Sequence, residues 1–405
     1  MAFVDEQNQQ PKKIKTSDNK TCSVPTIHNE IIVNILCRLP VKLLLRYKSV
    51  CKLWCSLISD SYLIKSHLSL STSNSHYAHH QLILTISSFN INLLSCGLYE
   101  VMCDHKSVNV LELDHPFKRP RSSKFSEPYP ELIVGSCNGL LCVAIDHHSL
   151  YIWNPSTRKS NLLPYRGRLK VWDGWSVMYG FGYDESSNDY KVVKVYYNDT
   201  YDTEVKIYSL KSGFWRKVGK FPCSPRRSKG AFGMFLNGAL HWGITKQYGP
   251  SLLWTIVSLD LAKETFNEIL QPVYDDSKYL TSLDTIRGFS LGVLGEWLCV
   301  LRDYLGKHAD VWVMKVYGVK DSWTRLVSIP HMTITSLFQP RYSTPLYISN
   351  DGKVLLRLGS KWVMYDSKNS SVLDIQKFDG CLGAYTFVES LVSPHALEHK
   401  VDNVN

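Results

Sequence analysis

Cys137, in the run GSCNG at 135–139, has the G-x-C-x-G outline of a nucleophile elbow, where a strained strand-to-helix turn holds a thiol exposed for attack on a carbonyl carbon. Such an elbow needs a helix after it. The residues that follow, LLCVAIDHHSLYIW, are rich in β-formers, and Asn-Gly recurs at 237 and 238 with no Cys beside it. A Cys-dependent hydrolase therefore stays only as a remote alternative. His76, His79, His80, His147 and His148 are grouped closely enough to suggest metal ligands, yet zinc takes four well-spaced N or S donors and no Cys partner stands near them. They read as solvated loop histidines. The adjacent carboxylates Asp184-Glu185 and Asp275-Asp276 lie in turn-like sequence and read as exposed turns rather than acid–base pairs. GFGYDESSN lacks the Lys-Ser/Thr of a phosphate loop. No catalytic residue, metal ligand or cofactor is expected, and so no enzyme.

The elements that would have to position any chemistry point elsewhere. The chain has 405 residues, 44% hydrophobic and 20% charged, which fits one small globular domain plus one large one, or a repeat array. Its 11 Trp and 23 Tyr favour β-rich structure. The N-terminal stretch has no apolar signal-peptide core, and no run reaches the length of a membrane helix, because Ser258 and Asp260 interrupt the best one. A cell-internal protein of cytoplasm and nucleus, with no membrane partner, is expected. Eleven cysteines without a C-x-x-C pair read as small buried hydrophobes of a reducing compartment. The net charge of +10 suits acidic protein surfaces or nucleic acid. Its clusters KRPRSSK (118–124), RGRLK (166–170) and PRRSK (225–229) lie in turn-like stretches with no recognition motif, so nucleic acid is not an expected partner.

Residues 23–70 form a helical module between a disordered tail at 1–22 and a polar spacer at 71–80. Ile27, Ile31, Ile32, Ile35, Leu36 and Leu39 follow one helix face, which Pro40 ends. A second helix is predicted over Val41–Tyr47. A third carries Val50, Leu53, Trp54, Leu57 and Ile58 on one stripe, and Asp60 caps a fourth. About 45 residues seldom bury enough surface to stand alone. The surplus of apolar side chains predicts an exposed ridge for a partner's groove.

From 81 to 392 short apolar runs alternate with turn residues, and a polar tail follows at 393–405. Asn138-Gly139 and Asn237-Gly238 each sit between apolar runs as tight-hairpin dipeptides, with NDGK (350–353) a third such signal. YIWNPSTRKSNLLP, VKIYSLKSGFWRKV, TIVSLDLAKETFNEIL, VWVMKVYGVKDSWTRLVSIP and WVMYDSKNSSVLDI look like copies of one unit. Asn154, Asp260 and Asp366 fall at equal intervals, twice a period of about 53 residues, which suits about six propeller blades. The Gly-Gly of kelch repeats is missing and the single Trp-Asp (172–173) falls outside the repeat, so a pair of β-sandwiches stays open. Trp153, Trp172 and Trp175 are candidate binding anchors by type, against the commoner role of packed blade aromatics.

EIIVNILCRLPVKLLLRYKSVCKLWCSLISDSYLIKSHL (30–68) resembles the F-box of plant F-box proteins. GSCNGLLCV, IWNPSTRKSNLLP, GFGYDESSNDYKVVKV, LHWG and DVWVMKVYGVKDSWTRL resemble their F-box-associated, kelch-like interaction domain. The nearest resemblance is to members that lower immune-receptor levels, and S-locus F-box proteins stand further off. The resemblance implies a multidomain α + β chain, a small helical F-box followed by an all-β, propeller-like domain. It implies docking on a Skp-type adaptor, and through it a cullin, with capture of an unknown target protein for ubiquitination. The docking and core positions implied are Ile27, Ile31, Ile35, Leu36, Leu39, Pro40, Val41, Leu44, Arg46, Val50, Cys51, Lys52, Trp54, Leu57 and Ile58. The family's Leu-Pro before the first helix is here Ile27-His28, which removes proline's preset φ and keeps the apolar anchor. A propeller scaffold working without cullin is the alternative this departure motivates.

Overall fold

The computed structural model describes residues 28–73, 79–87, 91–103, 108–117, 133–145, 149–165, 175–198, 200, 202–225, 232–248, 251–274, 288–304, 308–330, 343–358, 361–375, 378 and 381–395. The basic clusters at 118–124 and 166–170, most of that at 225–229, and Ile27, His76, His147, His148, Trp172, Asp275 and Asp276 lie outside them.

Among the described residues four short helices come first: α1 (Asn29–Leu36), α2 (Val41–Tyr47), α3 (Lys52–Ser59) and α4 (Ser61–Thr72). Pro40 caps α2 with φ −56°, and the helix runs over the residues predicted for it. α1 ends at Leu36, earlier than its apolar pattern. α3 begins only at Lys52, so Val50 sits in the turn before it and not on a helical stripe. Asp60 caps α4 as expected, its carboxylate accepting from Tyr62 N at 2.8 Å and Leu63 N at 3.4 Å. α4 runs on through Ser71 and Thr72, so part of the expected spacer is helix. Leu36, Cys37, Val41, Leu44, Ile58 and Leu63 make the core of this module, and Leu391 from the far end of the chain completes it.

Among the described residues the rest is six four-stranded antiparallel blades, five of them meanders. Blade 1 holds β1 (His80–Ser87), β2 (Ile91–Gly97) and β3 (Leu111–Glu112), with α5 (Leu98–Cys103) between the last two. Blade 2 is β4 (Ile133–Cys137) to β7 (Lys159–Leu162) through β5 (Leu140–Ala144) and β6 (Leu150–Asn154). Blade 3 is β8 (Ser176–Asp184), β9 (Asp189–Tyr197), β10 (Thr203–Ser209) and β11 (Phe214–Gly219). Blade 4 is β12 (Phe232–Leu236), β13 (Ala239–Tyr248), β14 (Ser251–Asp260) and β15 (Phe266–Ile269). Blade 5 is β16 (Phe289–Leu294), β17 (Trp297–Asp303), β18 (His308–Met314) and β19 (Trp323–Pro330). Blade 6 is β20 (Thr344–Ile348), β21 (Lys353–Leu358), β22 (Lys361–Asp366) and β23 (Ser371–Asp374). The last strand, β24 (Cys381–Val388), pairs with β1 and so closes the ring as the inner strand of blade 1. Blades 3 and 4 share one eight-stranded sheet, because β8 and β12 pair in parallel at Tyr179 with Phe232 and Gly180 with Gly233.

Strand side chains alternate between faces, so each blade packs on both neighbours. Val177 and Tyr179 enter the core between blades 2 and 3, while Met178 enters the core between blades 3 and 4. Six such cores run round the ring. A propeller, not a pair of sandwiches, is the architecture. Trp242 is fully buried on blade 4 and donates its indole N–H to Tyr179 O at 2.9 Å on blade 3. A Cβ at Gly180 or Gly233 would come within 3.0 Å of its ring, so those close approaches require glycine.

The repeat seen in the sequence is the hairpin between the third and fourth strands of a blade. Asp260 Oδ1 accepts from the amides of Ala262 and Lys263 at 2.9 Å, and Asp366 Oδ1 accepts from Lys368 N at 2.9 Å and Asn369 N at 3.3 Å. The turn closes with a left-handed residue, Glu264 at φ 57° and Ser370 at φ 48°. A short acceptor side chain that captures its own backbone explains why Asn or Asp recurs there. Asn138-Gly139 and Asn237-Gly238 both have positive φ at each residue, as the hairpin dipeptide requires.

Candidate functional site

Half-exposed apolar side chains stand on α1 and at the start of α3. Ile31 and Ile35, one turn apart on α1, are each 53% exposed; Val50 is 61% and Leu53 48% exposed. Pro40, Arg46, Cys51 and Lys52 are exposed as well, and Leu39, Trp54 and Leu57 are half-buried. Trp54 is held edge-on against Tyr47, with ring centroids 5.4 Å apart. Cys51 caps α3, its sulfur accepting weakly from Trp54 N at 3.5 Å. The remaining implied positions, Leu36, Val41, Leu44 and Ile58, are buried in the module core and offer a partner no area. They hold the helices that present the others. Sequence reasoning put Leu53 on the α3 stripe and left it out of the docking set, although its spacing from Trp54 and Leu57 was the signal. Leu391 had no local signal.

At the start of α1, His28 takes φ −59°, the value a proline would preset, and its carbonyl accepts from Ile31 N at 3.0 Å. α1 therefore starts at Asn29 without a proline before it.

The other face of the module lies on the propeller. A cleft of about 1340 Å³ separates α4 from turns of blades 2 to 4, and Lys65, Leu68, Asp184, Asp189, Lys211 and Asp260 are among its lining. Its carboxylates are engaged. Asp184 accepts from Ser186 and Ser187 and from Lys191 Nζ at 2.8 Å, and Lys191 also donates to Leu261 O at 2.6 Å on blade 4. Burial opposes ionisation of Asp184, and these donors outweigh it, holding the carboxyl well below the usual carboxylate range. Asp184-Glu185 is therefore a turn and an inter-blade tie, as the exposed-turn reading has it only in part, since Asp184 is buried.

Cys137 does not sit on an elbow. It ends β4, the Asn138-Gly139 turn follows, and β5 runs back antiparallel to it. The thiol is 5% exposed, and burial pushes its pKa far up, away from the thiolate a nucleophile needs. His79 is not a solvated loop histidine either. It is buried where α4 meets β1, its ring 5.6 Å from that of His67, and burial pushes its pKa down. Among the described residues no three His, Cys, Asp or Glu side chains are grouped to hold a metal. No described helix is long and apolar enough to cross a membrane. Trp153 is a blade aromatic, fully buried between blades 1 and 2, and Trp175 is half-buried against the core of blades 2 and 3.

Comparison with known proteins agrees with this division. The F-box-like family matches residues 29–69, and the family described as the F-box associated beta propeller domain matches residues 82–393. The F-box/kelch-repeat protein At3g23880 of Arabidopsis thaliana is 33% identical over 94% of this chain and 100% of its own length. The F-box protein CPR1 of the same plant is 31% identical over 91% of this chain and 89% of its own. Among solved structures, AofleA from Arthrobotrys oligospora aligns at a TM-score of 0.40 and 10% identity over 79% of this chain and 88% of that one, too low a score to carry argument. The module of four helices with its half-exposed ridge is an F-box, and the chain belongs to the F-box proteins that carry an F-box associated β-propeller domain.

Proposed function

We propose that this chain is the substrate-recognition subunit of an SCF-type ubiquitin ligase, working in cytoplasm and nucleus. Its F-box ridge docks on a Skp-type adaptor, the adaptor connects it to a cullin, and the propeller holds a target protein for ubiquitination and proteasomal degradation. The observation that carries this reading is the exposure of Ile31, Ile35, Val50 and Leu53, apolar side chains that the module's own core leaves uncovered. Apolar side chains in a ridge of this kind gain by entering a partner's groove. The chain contributes proximity and orientation to the transfer, raising the effective concentration of target lysines near the loaded enzyme.

Two features favour the target lying on the face away from the F-box. α4 overlies the turns at Asn138, Tyr183–Asp189 and Asn237-Gly238, and those turns are short and pinned by their own side chains. The strand ends at Tyr165 and Trp175, Tyr274 and Gly288, and Pro330 and Ser343 are joined by longer stretches of sequence and belong to the opposite end of the blades. Binding surfaces are commonly built on such connections.

Purified full-length chain mixed with a Skp-type adaptor and cullin tests the reading. Co-purification of all three, lost in Ile35→Asp with Leu53→Asp, is the expected result. An unchanged pull-down in that variant sinks the reading, and adaptor binding without cullin favours the cullin-independent scaffold.

A further inference from the structure

After β24 the chain does not leave the propeller. Glu389 N donates to His79 O at 2.8 Å beside the start of β1, and Ser390, fully buried, donates its hydroxyl to Asn138 O at 3.0 Å. Leu391 then enters the F-box core. Asn161 on β7 donates Nδ2 to Pro394 O at 3.1 Å. The segment therefore touches blade 1, blade 2 and the F-box within a few residues. Its approach is close: a Cβ on Gly139 would stand 2.3 Å from Ser390 Oγ and 2.5 Å from Val388 O.

The grip on this segment comes from Asn154, which stands on blade 2 where blades 4 and 6 have Asp. At the turn between third and fourth strands, blades 4 and 6 use Asp260 and Asp366, whose carboxylate oxygens accept from the amides two and three residues on. Blade 2 has Asn154 at that place, fully buried. Its Oδ1 does the same work, accepting from Ser156 N at 2.9 Å and Thr157 N at 3.2 Å. Its Nδ2 has no counterpart on an aspartate, and it donates to Ser390 O at 3.0 Å and Val392 O at 2.7 Å. A turn alone is served by either residue. The choice of amide over carboxylate is explained by the two carbonyls it must face, which a carboxylate would repel.

We propose that Glu389–Pro394 is a strap that fixes the F-box on the propeller, with Asn154 as its positioning residue on blade 2 and Leu391 as its anchor in the F-box. The ring-closing strand β24 leads directly into this strap. The consequence for the ligase rests on the function proposed above: the strap sets the distance and angle between the adaptor-docking ridge and a target held on the far face. The strap itself stands on geometry and is tested without a target.

A fluorophore pair placed by non-natural amino acids at the exposed positions Tyr62 on α4 and Lys320 on blade 5 reports that geometry in the full-length chain. The wild type is expected to give one narrow transfer-efficiency distribution. Asn154→Asp keeps the turn acceptor and removes the donor, and its distribution is expected to broaden, with adaptor affinity held within about twofold. Asn161→Ala combined with Ser390→Ala removes two other ties without touching the Asn154 turn, and serves where the aspartate variant fails to fold. A distribution as narrow as the wild type's in the folded variants overturns the strap, as does a broad one in the wild type. Absence of adaptor binding by the wild type counts against the ligase reading, and the distance distributions still decide the strap.

Discussion

The F-box and the propeller cover their large apolar side chains to different degrees. In the ring, Trp153, Trp242 and Trp362 are fully buried, each on a strand whose neighbours on both sides supply cover. In the F-box, Ile31, Ile35, Val50 and Leu53 remain about half exposed. The difference follows from geometry. A blade strand has a blade on either side, whereas four short helices enclose one core and leave their outer faces to solvent or a partner. The ring too leaves apolar side chains in solvent, Val273 and Leu270 among them, so the contrast lies in what its strands bury rather than in exposure alone.

Substitutions separate the two regions. The largest effect is expected for Trp242→Ala, which empties the interface of blades 3 and 4 and costs about 3–5 kcal/mol in denaturant unfolding. A much smaller loss would show that the ring tolerates a missing layer and that its cores are not the seat of stability.

Acid sharpens the same contrast. His241 on blade 4 is buried, its Nδ1 faces Met234 O at 3.1 Å, and Tyr317 OH of blade 5 lies 2.7 Å from Nε2. Burial lowers its pKa to about 4, with the bond to Met234 opposing the shift. The unfolded chain takes up that proton near pH 6.5 and the folded chain only near pH 4, so the stabilisation is complete above pH 6.5 and is lost as pH falls between the two. About 3 kcal/mol is expected to disappear over that window in urea titrations. His241→Phe should lack that part of the slope, and an unchanged slope would remove His241 from the account.

On the F-box side, Ile35→Asp with Leu53→Asp is expected to weaken adaptor binding by about 30- to 100-fold, on the order of 2–3 kcal/mol, as central apolar contacts do. Unfolding should move by no more than about 0.5 kcal/mol, because both positions are surface sites. A large stability loss in this variant would mean that the ridge is core after all. The smallest expected change is Asp60→Ala, which removes the cap of α4 and costs about 1 kcal/mol in thermal unfolding while leaving the blades intact.

Much of the propeller was legible before any coordinates. All five sequence copies are hairpins between third and fourth strands; in four of them a short acceptor side chain, Asn154, Ser209, Asp260 or Asp366, captures amides of the turn, and in blade 5 Ser322 ties the turn instead. Blade 1 had no copy. Its fourth strand, β3, is two residues long, and its inner strand comes from the opposite end of the chain, so no local pattern marks it. The helix spans of the F-box were partly legible: proline fixed the start of α2, whereas apolar periodicity ran past the end of α1 and drew Val50 into a helix it precedes.

Sequence by itself determined most of the strands and the helix at Val41–Tyr47, the spacing of the blades and the presence of more apolar surface than a short helical module can hide, but not α5 within the β region. These are local properties, set by residue period, turn chemistry and the size of the module. Which of those apolar residues face outward, and that Asn154 differs from Asp260 because it must hold a strap, were decided only in three dimensions. Asn154 lies far along the chain from Ser390 and Val392, and a donor's purpose is legible only once its acceptors are beside it.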